Sequence, residues 1–522
     1  MDSRKVYVTR VALTVALGGF LMGFDASVIS GVVRFIEPEF GLSKLQLGWA
    51  VGSLTLTSTL GMLIAGPLSD RFGRRTILKL AAVLFAVSAI ASALAQTFWF
   101  LVVARMLGGF GVGFALIIPP MYIGEIAPPK IRGRLVSFNQ LNIVAGISAA
   151  FFTNYLILQW AQSGAGWAQT FMMDEYTWRW MLGLETLPAI AYFIGLYFVP
   201  KSPRWQIMAG NVEDGEKTFT GILGPERARK QVQDVLSALE ADKEKEKVSI
   251  REIFHPYMRF VLLIGVTLAI LQQITGINAV FFYAPVIFEQ SGIGTDASFM
   301  QAVLVGLTNL VFTVFAILLI DKLGRKPLLI FGLAGITLMM MLLAYGFDSA
   351  TYRLDEESIQ TIEAPVNLEL LSATMANVTY EDDVQFRYAL TEVLGPEAAV
   401  EFESAIITAA IDINPKLILF GILGFVASFA ISLGPVMWVM FSELFPLRAK
   451  GFAISFVGFI NSGVSFLVQL VFPWELATLG NSMTFLIYGA FAAIGLFFVW
   501  KFVPETKNRS LEELEEALVA KA

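Results

Sequence analysis

Cysteine is absent from the 522 residues, and histidine occurs once, as His255. The first absence excludes disulfides, thiolate metal sites and thiol chemistry, and the second leaves nothing from which to build a histidine cluster. Charge is also scarce: 15% of residues are Asp, Glu, Lys or Arg, against roughly 25% in soluble domains. No Ser/His/Asp set, phosphate loop or metal cluster can be picked out, so neither an enzyme nor a bound cofactor or metal is expected. Apolar residues take their place, at 56% of the chain and a mean hydropathy of +0.67. Such a chain belongs in a lipid bilayer.

The apolar residues fall into long unbroken runs, which argues for helices and against the short alternating strands of a membrane barrel. Twelve runs are read, at approximately 8–34, 45–68, 76–95, 97–123, 134–159, 178–199, 258–289, 298–320, 327–347, 415–441, 450–474 and 480–503. They predict an all-α polytopic membrane protein. The first run is too long for a removable signal and lacks a small-residue cleavage site, so it reads as an anchor. Basic residues collect in alternate loops, at Arg71, Arg74, Arg75 and Lys79, at Lys130, Arg132 and Arg134, at Lys322, Arg325 and Lys326, and at Arg448 and Lys450. By the positive-inside rule these loops and both termini are expected on the cytoplasmic side of a plasma (inner) membrane.

Two polar stretches interrupt this plan. Residues 201–257 are expected to form a cytoplasmic linker with short surface helices around 226–247. Residues 348–415 hold fourteen acidic residues against two arginines, which leaves the rest of the chain at +6 although the whole carries −6. The predicted organisation is therefore a six-span bundle over 1–200, the linker, a second six-span bundle over 258–504 with the outer insertion 348–415, and a cytoplasmic tail over 505–522.

The two sets of spans repeat each other. Asp70-Arg71-Phe72-Gly73-Arg74-Arg75 is echoed by Asp321-Lys322-Leu323-Gly324-Arg325-Lys326, and Glu125 with Arg132-Gly133 by Glu443 with Lys450-Gly451. The first pair of motifs is 55 positions apart and the second 122, an excess of 67 that nearly equals the acidic segment. That segment reads as an insertion into a duplicated plan, and parallel six-span halves with a midplane site are a transporter architecture.

Along nearly the whole chain the sequence resembles the sugar porter family of the major facilitator superfamily, which includes proton-coupled sugar symporters and glucose facilitators. The resemblance is carried by Gly66 to Arg75, Pro119 to Gly133, Val199 to Trp205, Gln272 to Tyr283, Asp321 to Pro327, Gly434 to Gly451 and Val503 to Leu511. It implies twelve helices in two pseudo-symmetric bundles and import of a monosaccharide or related polyol by proton symport through alternating access. An uncoupled facilitator, or a non-transporting sugar sensor on the same scaffold, stands as the alternative. A sensor tends to carry a long cytoplasmic tail, whereas little sequence follows Val503. The expected partners are the sugar, the proton and the lipid bilayer, with no nucleic acid, and the expected state is a monomer.

Asp25 and Arg105 are ionisable residues inside apolar runs, where an unpartnered charge is costly, so both are functional candidates. The alternative for Asp25 is a polar residue hydrogen-bonded within a helix bundle. The resemblance implies that Asp25 carries the proton and that Arg105 is its partner. A sugar needs donors, acceptors and an aromatic face, and the family's positions for these are Gln140, Gln272, Gln273, Asn278, Asn309, Trp438 and Asn461, with Gly276 placed to loosen the helix. Each amide taken singly also reads as interhelical glue. Phe281, Phe282 and Tyr283 are expected at an outer gate, or packed against lipid.

At the basic loops, Arg74, Glu125, Arg132, Arg325, Glu443 and Lys450 are expected to bridge the two halves when that side is closed. Three positions depart from the family pattern: Ser462 replaces Trp after Asn461, Lys201 replaces Glu, and Lys450 replaces Arg, which loses a bidentate fork. The insertion is expected either as a cap, with helical spacing over 398–411, or as a solvated loop. It contains the glycosylation sequon Asn377-Val378-Thr379.

Overall fold

A computed structural model describes residues 3–244, 256–360, 362, 365–445 and 450–507. His255 and the side chain of Arg132 lie outside the described residues. Hydrocarbon offers no water to backbone N–H and C=O groups, so spanning stretches close their own hydrogen bonds as helices. Among the described residues ten helices are long and apolar enough to cross a membrane. The first five are α1 (Ser3–Glu39), α2 (Lys44–Phe72), α3 (Arg74–Ala93), α4 (Phe98–Ile126) and α5 (Pro129–Gln162).

After the short α6 (Gly166–Thr170), the sixth predicted span is broken into α7 (Thr177–Gly183) and α8 (Thr186–Gly195). The cause is Pro188, which has no N–H to offer Leu184; the Leu184 carbonyl accepts instead from Leu187 N at 3.1 Å. The expected linker helices are α9 (Pro203–Met208), α10 (Val212–Leu223) and α11 (Pro225–Glu244). They share a small core of Ile207, Phe219, Ala228 and Val232.

The seventh span is likewise two pieces, α12 (Pro256–Ile274) and α13 (Ile277–Glu289), followed by α14 (Gly294–Leu323) and α15 (Arg325–Asp348). The insertion comes next and it folds. Strand β1 (Thr351–Arg353), helices α16 (Glu356–Gln360) and α17 (Leu368–Met375), strand β2 (Thr379–Tyr380), helices α18 (Asp383–Leu394) and α19 (Pro396–Ala410) and strand β3 (Ile411–Asp412) surround a core of their own. In that core Phe386 is fully buried, with its ring stacked on Tyr352 at 5.3 Å and meeting Tyr380 edge-on at 5.6 Å. Burying one such side chain stabilises by about 1.5–3 kcal/mol, which a solvated loop does not gain. The sheet order is β2-β1-β3, antiparallel throughout.

The last spans are α20 (Pro415–Ile431) with α21 (Leu433–Leu444), and α22 (Lys450–Phe502). The 53-residue α22 turns at Gly480, whose φ of 80° is left-handed, so it supplies two crossings. With that and the interrupted sixth span, all twelve predicted crossings are accounted for.

Packing groups the chain into two compact units. One comprises Met1–Ala26, Ser53–Ala150 and Arg179–Ser249; the other comprises Ser27–Gly52, Phe151–Trp178 and Ile250–Ala522. The first has an apolar core built mainly from α1, α3 and α4. In the second, the last turns of α1 and the first turns of α2 lie with the later spans and the insertion.

Candidate functional site

Asp25 lies in α1 and Arg105 in α4, both within the first unit and both about 1% exposed. Arg105 Nη1 is 3.5 Å from Asp25 Oδ1, and Nη2 donates to the Asp25 backbone carbonyl at 3.4 Å. The pairing is loose. Among the described residues Asp25 Oδ2 and Arg105 Nε have no hydrogen-bond partner although both are buried. A third buried ionisable group, Glu185, 2% exposed at the break between α7 and α8, lies near both Asp25 and Arg105. Its Oε1 also has no hydrogen-bond partner among the described residues. Leaving such atoms unpaired costs about 1–3 kcal/mol each, so the site keeps proton-accepting oxygens open at the expense of stability. Glu185 was missed in the sequence; the signal was Pro188, which breaks the helix beside it.

The second unit holds an amide network. At Gly276 the backbone is left-handed, with φ 90°, and the helix stops at Ile274 and restarts at Ile277. The break brings Gln272 and Gln273 at the end of α12 together with Asn278 in α13. Gln272 Oε1 accepts from Gln273 Nε2 at 3.1 Å and from Asn461 Nδ2 at 2.9 Å, while its Nε2 donates to the Leu433 carbonyl at 3.0 Å. Gln273 Nε2 also donates to Asn461 Oδ1 at 3.1 Å, and Asn278 Nδ2 donates to Gln273 Oε1 at 2.7 Å.

From Asn278 the network continues to Ser465 Oγ at 2.6 Å, which accepts from Gln469 Nε2 at 2.8 Å; the Gln469 carbonyl accepts from the Tyr283 hydroxyl at 3.1 Å. Ser465 and Gln469 escaped the sequence reading, although Asn461, Ser465 and Gln469 recur at every fourth position and therefore share one helix face. Tyr283 is 1% exposed, its ring 5.1 Å from that of Phe472, and Phe281 and Phe282 are buried beside it in sequence. Asn309, buried on α14, and Trp438, 41% exposed on α21, stand outside this hydrogen-bonded set. Gln140 is half-buried on α5 in the first unit.

The basic-loop motifs form two matching clusters, one in each unit. Arg74 binds Glu125 at 2.9 Å, Asp70 at 2.8 Å and the Ser69 carbonyl at 3.1 Å, and Ser202 donates to Glu125. Arg325 binds Glu443 at 2.8 Å, Asp321 at 3.2 Å and the Ile320 carbonyl at 3.1 Å, and Thr506 donates to Glu443 at 2.6 Å. Each observed pair closes within its own unit, because each arginine starts a helix whose neighbour carries the glutamate. Lys450 is partly buried at the start of α22.

The clusters differ at one point. Glu505 accepts from the backbone N–H groups of Arg325 at 3.1 Å and Lys326 at 3.0 Å, a carboxylate seated on a helix N-terminus. Exposed Lys201 holds the matching place in the first cluster, where Trp205 Nε1 donates to the Asp70 carbonyl at 2.8 Å.

A family profile described as "Sugar (and other) transporter" matches residues 11–363 and 400–518. The chain belongs to that sugar transporter family. It is 34% identical to the arabinose-proton symporter of Bacillus subtilis, over 98% of this chain and 95% of the relative. It is 35% identical to the D-xylose-proton symporter of Escherichia coli, over the same shares. Its fold matches the inward open structure of the xylose transporter XylE from E. coli with a TM-score of 0.74 and 32% identity, covering 98% of this chain and all of the other. The fold is therefore the major facilitator fold of the sugar porters, whose members are transporters and not enzymes.

Proposed function

We infer that the protein imports a monosaccharide or related polyol by proton symport through alternating access. The observation that carries this reading is the buried Asp25–Arg105 pair, in which one carboxylate oxygen accepts no hydrogen bond among the described residues. A proton taken up there cancels the Asp25 charge and frees Arg105 from its ion pair. The pair thus differs between proton-loaded and proton-free states, as a ligand-driven population shift requires. Relatives named as arabinose-proton and xylose-proton symporters support the same coupling and substrate class.

The sugar site in this reading is the network of Gln272, Gln273, Asn278 and Asn461, with Asn309 and Trp438 as further contacts and Gln140 as the candidate substrate residue of the first unit. Its amides donate and accept in equal measure, so internal bonds exchange for sugar hydroxyls at little net cost. Tyr283, at the end of the network, serves as the gate residue with Phe281 and Phe282. Arg74 with Glu125 and Arg325 with Glu443 hold the helix ends of their own halves, and Arg132 and Lys450 are the further gate residues of this reading. In this reading the basic loops and both termini are cytoplasmic by the positive-inside rule, the insertion is outside, and the protein works as a monomer in the plasma membrane. The repeat supports two functional bundles, 1–200 and 258–504, joined by the linker.

The test is uptake into liposomes under an imposed pH gradient, with pentoses, hexoses and inositols. Asp25→Asn is expected to abolish gradient-driven accumulation while retaining sugar exchange at equal concentrations. Accumulation that persists in Asp25→Asn, or that ignores the gradient in the unaltered protein, would show an uncoupled facilitator instead.

A further inference from the structure

The second unit contains a cavity of about 390 Å³ beneath the insertion, walled by α19, by the last turn of α13 and by the last turns of α1. Its size falls within the roughly 300–1,000 Å³ of small-molecule sites. Two partly exposed rings line it, Phe35 from α1 and Phe402 from α19. Most of its polar atoms are acceptors. Three of its four carboxylates already have cations: Glu289 is held by Arg34, Glu37 by Lys44, and Glu403 by Arg387 at 2.7 Å, while Glu401 is exposed at the rim. Gln290 differs, because its Oε1 is buried and accepts no hydrogen bond among the described residues.

This chemistry selects among ligands. A metal ion or organic cation would find one exposed carboxylate, Glu401, and for any further one would have to displace the resident arginines and lysine. A neutral polyhydroxylated molecule displaces nothing: its hydroxyl protons reach the remaining lone pairs, and its C–H face packs on the phenylalanine rings. The cavity also has a direction. A smaller one of about 30 Å³ shares Glu37, Val286 and Gln290 with it and extends to Tyr283, the residue that ends the amide network.

We propose that the cavity beneath the insertion is a sugar-capture site, where a monosaccharide or polyol is held next to Tyr283 before it enters the amide network. This rests on the sugar-transport reading and adds a second, weaker site to it. Arg34 gives the site its frame, because it binds Glu289 of α13, Thr295 of α14 and, at 3.4 Å, Ser404 of α19.

Saturation-transfer NMR on the full-length protein, with D-xylose, L-arabinose, D-glucose and myo-inositol as probes, separates the two sites. Saturation is expected to reach a bound sugar in the unaltered protein and, more weakly, in Gln272→Ala, and to vanish in Gln272→Ala/Phe402→Ala. Phe402→Trp provides an independent reading that needs no deletion: its indole emission should shift on adding the same sugar. In transport assays Phe402→Ala is expected to raise KM about five-fold at unchanged kcat, the loss of one aromatic contact. Complete loss of sugar signal in Gln272→Ala together with a silent Phe402→Trp would overturn the capture site and leave the transport reading intact. Signal retained in the double variant, or Phe402→Trp emission that answers Ca²⁺ and not sugar, would overturn it as well. Binding of no probe by the unaltered protein would remove the transport reading first, and this proposal with it.

Discussion

Asp25 is held where one missing methyl group makes room for it. A Cβ added at Gly108 in α4 would come within 2.8 Å of Asp25 Oδ2 and 2.5 Å of Ser88 Oγ, and overpacking of this kind costs about 1–3 kcal/mol. The displaced atom is the open carboxylate oxygen, so Gly108→Ala should disturb coupling more than binding. Gradient-driven accumulation is expected to fall sharply in liposomes while KM in equilibrium exchange changes little. Gly124→Ala, with nothing within 4 Å of its added Cβ, serves as the neutral control. At this scale the charges inside apolar runs were legible because their cost in lipid is high. Glu185 was not, since it follows Arg179 in the same run and reads equally well as a charge at the membrane surface; only the break before Pro188 turns it inward.

The sugar network depends on a helix that stops and restarts. Gly276 sits at φ 90°, and a Cβ there would come within 2.4 Å of the Tyr488 ring. Left-handed geometry alone costs a non-glycine residue about 1–2 kcal/mol, and the ring contact adds to it. Gly276→Ala is therefore expected to lower the melting temperature and to weaken sugar binding by about tenfold, because Gln272 and Gln273 on one side of the break shift relative to Asn278 on the other. Calorimetric melting and equilibrium binding check the two effects. The break was legible in the glycine, and so were the lengths of the spans. The pairing of the basic-loop charges was not. Asp70, Arg74, Glu125, Asp321, Arg325 and Glu443 are all visible in the sequence, yet whether an arginine bonds within its half or across to the other is a matter of helix neighbours, which motif spacing does not encode.

For the whole molecule, the spacing of the repeated motifs marks 348–415 as an addition to a duplicated body, and the structure supplies the geometry of the junction. The insertion enters through β1 and leaves through β3, and Thr351 pairs directly with Asp412. Antiparallel partners lie about 4.5–5.5 Å apart at Cα, so a short turn can join them. Its core is also its own, centred on Phe386 and Tyr352. Its polar ties to the spans are local: Asp383 accepts from Asn481 Nδ2 at 2.7 Å, Arg387 donates to the Leu476 carbonyl at 3.1 Å, and Arg34 donates to Ser404. Burial lowers the proton affinity of Arg387 and the carboxylates of Glu403 and Asp383 more than restore it, so Arg387 stays a cation throughout the physiological range. Replacing residues 352–411 by a Gly-Ser turn is therefore expected to leave the twelve-span body folded, since the excised part takes its own core with it. The shortened protein should elute as a single species, melt cooperatively and accumulate sugar under a pH gradient, with a raised KM because the cavity wall formed by α19 has gone. An aggregated product would show that the outer ends of α1 and α13 need the insertion to fold. A soluble, active product with unchanged KM would show that the insertion takes no part in sugar capture.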